Sequence, residues 1–186
     1  WRKYHYEQLE RLLTGDYTTE ERILLDVEVI KEDGSKHYLA VNDAVVARGQ
    51  LSKTIDLHLT LDGDEISKYR ADGLLFATPT GSTAYSLSAG GPILAPKMEC
   101  ILMTPVCPHS LFSRSVLFSG ESELSVHVKI PEECCCVLTI DGEKNVPVLA
   151  TDRVVIRKSD LKLKLALLHN RNFYKLLNEK LKERDF

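Results

Sequence analysis

Apolar residues first recur at helical spacing. Over residues 4–13, Tyr4, Leu9, Leu12 and Leu13 stand among charged neighbours, and Gly15 follows as a C-terminal cap. Beyond it the period changes to two. Residues 23–30 predict a strand, Asp33-Gly34 a turn and residues 37–41 the returning strand. A second hairpin alternates Leu57, Leu59 and Leu61, turns at Asp62-Gly63 and returns through Ile66 and Tyr69. A third runs over residues 137–140, turns at Asp141-Gly142 and returns through Val146 and Val148. Further strands are predicted at 74–77, 101–104, 116–118, 124–130, 153–158 and 161–168, and helical spacing resumes over 173–181. The pattern predicts a mainly β chain: one multi-stranded antiparallel β domain, residues 1–186, with a helix at each end.

One segment departs from simple alternation. The apolar run of residues 74–77 leads into Thr78-Pro79-Thr80-Gly81-Ser82-Thr83-Ala84-Tyr85-Ser86-Leu87-Ser88-Ala89-Gly90-Gly91-Pro92. A buried strand would end in a hydroxyl- and glycine-rich turn, with a short helix from near Thr83 stopped by Gly90-Gly91-Pro92. Small residues let a ligand approach the main chain. Free N–H groups at a helix start attract anions or polar ring edges. Ser82, Thr83 and Ser88 add hydroxyls. The same residues also suit an ordinary capped strand–turn–helix, and no G-x-G-x-x-G or Walker A pattern is present.

Composition narrows the classes. A chain of 186 residues buries enough surface to fold without a disulfide or metal staple. Charged residues make up 27% and the net charge is −3, which disfavours disorder and a strongly basic nucleic-acid or membrane surface. The longest uncharged stretch, residues 73–96, is rich in Gly, Ser, Thr and Pro and reads as no membrane span. The cysteines are Cys100, Cys107 and the consecutive Cys134, Cys135 and Cys136, an arrangement that suits reduced thiols in a cytoplasmic protein. Cys107 and His109 invite a zinc reading. Without a C-x-x-C pair the spacing does not support it, so no metal site is expected. The chain opens on Trp1-Arg2-Lys3 with no apolar leader, the look of an excised domain.

The block from Asp72 to Pro92 resembles the signature of the NAD kinase family. Three further blocks agree in order and spacing: Val41-Asn42-Asp43-Ala44-Val45-Val46, the segment from Thr104 to Leu111, and Thr139-Ile140-Asp141-Gly142. The resemblance implies phosphoryl transfer from ATP to the 2′-hydroxyl of the adenosine ribose of NAD, with ATP and Mg2+ serving the full-length enzyme. It implies that this chain is the C-terminal NAD-binding β domain. No Gly-Gly-Asp-Gly motif of the family's N-terminal α/β domain occurs here, so no catalytic residue is assigned and the isolated chain is expected not to turn over.

By that resemblance Asn42 would bond the adenine or its ribose, and Asp43 would accept from a ribose diol. Thr83 and Ala84 would meet the adenine edge, and Tyr85 would pack on the nucleoside with Ser88 on its face. Asp72 would reach the nucleotide across a subunit boundary in a dimer or tetramer. A side-chain contact after Asp141 is in doubt, because Gly142 stands there. The alternative is a non-catalytic NAD- or adenylate-binding oligomeric module. A lipid-kinase-like domain fits less well, since lipid recognition would need an apolar pocket at residues 80–85.

Overall fold

The computed structural model describes residues 2–49, 54–110, 113–129, 135–169 and 172–182. By internal contacts the chain divides into two units, Ile23–Leu163 and Trp1–Arg22 with Lys164–Phe186.

The strands are β1 (Thr18–Lys31), β2 (Gly34–Ala40), β3 (Asp43–Arg48), β4 (Ile55–Leu61), β5 (Asp64–Ala71), β6 (Gly73–Ala77), β7 (Cys100–Val106), β8 (Val116–Ser119), β9 (Leu124–Lys129), β10 (Cys136–Ile140), β11 (Lys144–Val148) and β12 (Arg153–Leu167). The helices are α1 (Arg2–Thr14), the single turn α2 (Tyr85–Ser88) and α3 (Phe173–Lys182). Among the described residues two six-stranded sheets form, ordered β2-β1-β12-β9-β4-β5 and β11-β10-β3-β6-β7-β8. The mainly β, antiparallel architecture with a helix near each end is as the sequence predicts.

The terminal unit holds α1 and α3. Gly15, at φ +76°, ends α1, and the Asp16 amide closes back on the Arg11 carbonyl at 2.9 Å. Arg11 Nη1 donates to the Leu168 carbonyl at 2.5 Å. At the start of α3, Asn172 Oδ1 accepts the Tyr174 amide at 2.9 Å, a side-chain cap.

In the larger unit both sheets contribute to one apolar core. Leu25, Val27 and Val29 of β1 and Leu57 and Leu59 of β4 lie in it with Ala44 and Val46 of β3, Leu74 and Phe76 of β6 and Leu138 of β10. The opposite face of the second sheet has its own cluster, in which Val45, Leu75, Ala77 and Leu102 pack with Leu94. β6 is therefore buried on both faces, which explains its unbroken apolar run Leu74-Leu75-Phe76-Ala77. The chain between β6 and β7 covers this outer face. Leu94 is its apolar anchor, and the Leu94 amide donates to Ser82 Oγ at 3.0 Å.

Three sequence readings shift. The first hairpin turns at Glu32-Asp33, with Gly34 already in β2 at φ +129°. The two strands predicted at 153–158 and 161–168 are one strand, β12, in which Ser159 Oγ accepts the Leu161 amide at 3.1 Å. Residues 43–48, not predicted as a strand, form β3 at the middle of the second sheet. Residue 130 of the predicted strand 124–130, and Cys134, lie outside the described residues.

Phe76 is among the largest fully buried side chains. Phe76→Ala removes its contacts and leaves a void, so the expected loss is about 3–5 kcal/mol. Urea unfolding checks this: the midpoint falls while the slope stays constant.

Candidate functional site

A pocket of about 460 Å3 opens on the outer face of the second sheet. Strand alternation builds its floor. On β3, Ala44 and Val46 point into the core, so Asp43, Val45 and Ala47 face the other way and line the pocket. The neighbouring strand β10 supplies Thr139, which stands opposite Val45 in register, and the turn that follows supplies Asp141 and Gly142. The far wall is Ala84 and Tyr85 at the start of α2. Asn42 closes the end where β2 passes into β3.

Two sets of hydrogen bonds fix this geometry. The Asp141 carboxylate accepts three successive amides: Val41 at 2.8 Å, Asn42 at 2.7 Å and Asp43 at 3.0 Å. The Asp141 amide returns a bond to the Asp43 carbonyl at 2.9 Å. On the other side, the Thr78 amide donates to the Asn42 carbonyl at 2.9 Å and Thr78 Oγ1 to the Val41 carbonyl at 2.7 Å. Thr78 Oγ1 also accepts the Gly81 amide at 3.0 Å. A Cβ on Gly81 would stand 2.0 Å from the Asn42 carbonyl oxygen, so only glycine permits this approach.

The glycine- and hydroxyl-rich turn is thus partly structural. Gly81–Thr83 is a 3-10 turn leading into α2. Ser82 is buried, and its hydroxyl donates to the Pro79 carbonyl at 2.7 Å, so it serves the turn. The Gly90 and Gly91 amides close α2 onto the Leu87 and Ser86 carbonyls, at 3.0 and 2.8 Å. Ser86 Oγ and Thr104 Oγ1 lie 3.1 Å apart beneath it.

Of the residues singled out from sequence, Asn42, Asp43, Ala84 and Tyr85 meet in the pocket. Thr83 and Ser88 are exposed and do not line it, and Thr83 Oγ1 donates to the Thr80 carbonyl at 3.3 Å. Asp72 lies outside the lining and is held by Arg48, with Nε 2.7 Å from Oδ1 and Nη2 3.0 Å from Oδ2. Val45, Ala47 and Thr139 were not foreseen. Val45 and Ala47 lie on β3, whose first four residues are all buried and so give no contrast between its faces, and Thr139 is placed beside Val45 only by the pairing of β10 with β3. His109 contributes its amide to the Arg70 carbonyl at 2.8 Å, and no cluster of three or more His, Cys, Asp or Glu residues suited to a metal exists among the described residues.

Electrostatics separate the two carboxyls. Asp43 is only 5% exposed, and burial, reinforced by the Asp141 charge, pushes its carboxyl from the ordinary 3.8 up to about 6. Tyr85 is 46% exposed, and partial burial together with Cys107, Asp72 and Asp43 pushes its phenol up, keeping it neutral. The pocket therefore offers the Asp43 carboxyl as an acceptor, the charge of Asp141 beside it, and a neutral aromatic face. It suits hydroxyls and an aromatic base, and it repels phosphate.

Two outcomes test this geometry. Gly81→Ala forces the turn off Asn42 and lowers stability by about 3 kcal/mol, read by urea unfolding. Asp43 ionises more easily in the unfolded chain than in the fold. Its contribution to stability is therefore full below about pH 4 and lost as pH rises through 6. Asp43→Asn removes that loss. It raises the thermal midpoint at pH 7.5, by up to roughly 3 kcal/mol in stability, and the gain disappears near pH 4.

Comparison with known proteins bears on what this pocket holds. Residues 41–168 match the ATP-NAD kinase C-terminal domain. The NAD kinase of Natranaerobius thermophilus is 41% identical over 93% of this chain, and that of Magnetococcus marinus 40% over 95%. The chain spans about 60% of the length of these relatives. Among solved structures, yeast NADH kinase complexed with NADH superposes with a TM-score of 0.87 at 28% identity, covering 97% of this chain and 55% of that one. An Archaeoglobus fulgidus NAD kinase in complex with ATP gives 0.77 at 26% identity, covering 94% of this chain and 64% of that one. The match over residues 41–168 takes in both the strands that floor the pocket and the turns that wall it, and the chain belongs to the ATP-NAD kinase C-terminal domain family.

Proposed function

We propose that this chain is the dinucleotide-binding β domain of an ATP-dependent NAD kinase, and that its pocket takes the adenosine end of NAD. The observation that carries the reading is the convergence of Asn42, Asp43, Ala84 and Tyr85 on one pocket. The Asn42 amide can both donate and accept, as an adenine or ribose edge requires. Asp43 presents a carboxyl to a ribose diol. Ala84 offers main chain to the adenine edge, and Tyr85 offers a half-exposed ring for the nucleoside to pack on. Family membership and the likeness to structures holding NADH and ATP support the same assignment.

The reading gives this pocket a binding role and assigns the phosphoryl transfer to none of its residues. The pocket presents two carboxyls and no cation among its lining residues, which does not fit a triphosphate. Nor does it fit a resident Mg2+, because Asp141 already accepts three amides. ATP and Mg2+ therefore belong to other residues of the enzyme. Asp72 is assigned to a nucleotide contact across the boundary of a homodimer or tetramer, its carboxylate retaining lone pairs beyond those that Arg48 takes. A cytoplasmic protein is the setting, and no described helix is long and apolar enough to cross a membrane.

The test is calorimetric titration of the chain with NAD beside Tyr85→Ala and Asn42→Ala. Each variant is expected to bind about tenfold more weakly, the loss of one stacked ring or one paired amide. Unchanged affinity in both overturns the assignment.

A further inference from the structure

The three amides on Asp141 belong to consecutive residues, and they include that of Asp43 itself. One carboxylate thus organises the whole passage from β2 into β3, and its charge faces the carboxyl it positions. Resting on the adenosine-site reading, we propose that Asp141 is a positioning residue: it fixes the backbone that presents Asn42 and Asp43, and it couples dinucleotide affinity to one proton on Asp43.

The geometry separates the two roles within the pair. Asp141 is occupied by main-chain donors, so its oxygens are not free to turn toward a ligand. Asp43 projects from the floor strand into the pocket and is almost wholly buried. The groups facing it can be named element by element. From the turn after β10 comes Asp141, the one charge acting on Asp43 among the described residues. From α2 comes the phenol of Tyr85, kept neutral. From β6, its register partner is Ala77, which carries no charge. Lys144 of β11 sits over the Tyr38 ring, 4.5 Å from its centre. Among the described residues no cation holds Asp43 ionised, and burial with Asp141 places its proton within the range of ordinary pH, at about 6.

The sign follows from the ligand chemistry. A ribose diol donates hydrogen bonds, so the ionised carboxylate is the better acceptor. Binding then favours loss of the proton, and affinity falls as pH drops through 6. Well below that value the loss approaches tenfold per pH unit, and above about 7 the affinity is level.

The experiment has two readouts on the full chain. The first is carbon NMR of carboxyl-labelled aspartate without ligand, with Asp43→Asn identifying the Asp43 resonance. The second is calorimetric NAD affinity from pH 5 to 8. In the wild type, Asp43 titrates near 6 and the affinity falls below that pH; in Asp43→Asn the affinity profile is flat. Asp141→Asn lowers the Asp43 midpoint by about one pH unit and weakens NAD at pH 7.5 by about tenfold. Asp141→Glu keeps the charge but misplaces the acceptors, so the midpoint stays near 6 while affinity falls; it and the wild type decide the matter if Asp141→Asn does not fold. A flat wild-type affinity profile, or an Asp43 midpoint that ignores Asp141→Asn, overturns the proposal. If NAD binds at no pH while the Asp43 midpoint responds as stated, the adenosine-site reading fails and the Asp141–Asp43 coupling stands supported.

Discussion

The pocket depends on one junction, where the backbone of residues 41–43 is gripped from both sides. Its amides donate to the Asp141 carboxylate, the Val41 and Asn42 carbonyls accept from Thr78, and the Asp43 carbonyl accepts the Asp141 amide. Buried main-chain groups need partners, and here one residue on each flank, Asp141 and Thr78, supplies them through both side chain and main chain for an irregular bend between two strands. Everything that lines the pocket is referred to this bend. β3 leaves it with Asp43, Val45 and Ala47 facing outward, and the turn carrying Ala84 and Tyr85 is pressed against it at Gly81. A shift of the bend would misplace the floor and both walls together.

The junction also places a carboxyl where water would not. Asp43 is held in a buried position beside a second acid, an arrangement that opposes the fold at neutral pH. Such local opposition persists when the surrounding structure over-determines it, as the central position of β3 and the double burial of β6 do here.

Much of the fold was legible in the sequence because the hairpins carry strong punctuation. Asp62-Gly63 and Asp141-Gly142 adopt positive φ at both residues, as tight hairpin turns require, and alternating apolar residues flank them. The failures have physical causes. β3 reads as a featureless apolar run because both of its faces are covered, so alternation gives no contrast. The Ser159-Asp160 pair looks like a break, yet β12 runs through it with a local side-chain bond. The resemblance singles out Asn42, Asp43, Ala84 and Tyr85, which the structure brings together around one pocket, whereas Ser82 holds the turn together. Thr139 and Val45 needed the sheet register, which no local pattern encodes.

The account rests on an adenosine moiety occupying the space between β3, the turn after β10 and the start of α2. A crystal structure of the chain soaked with NAD tests this most directly. The account predicts the adenine against Ala84 and Tyr85, with its ribose within hydrogen-bond distance of Asn42 or Asp43. Ordered dinucleotide on any other surface, with this pocket holding only water, would contradict it.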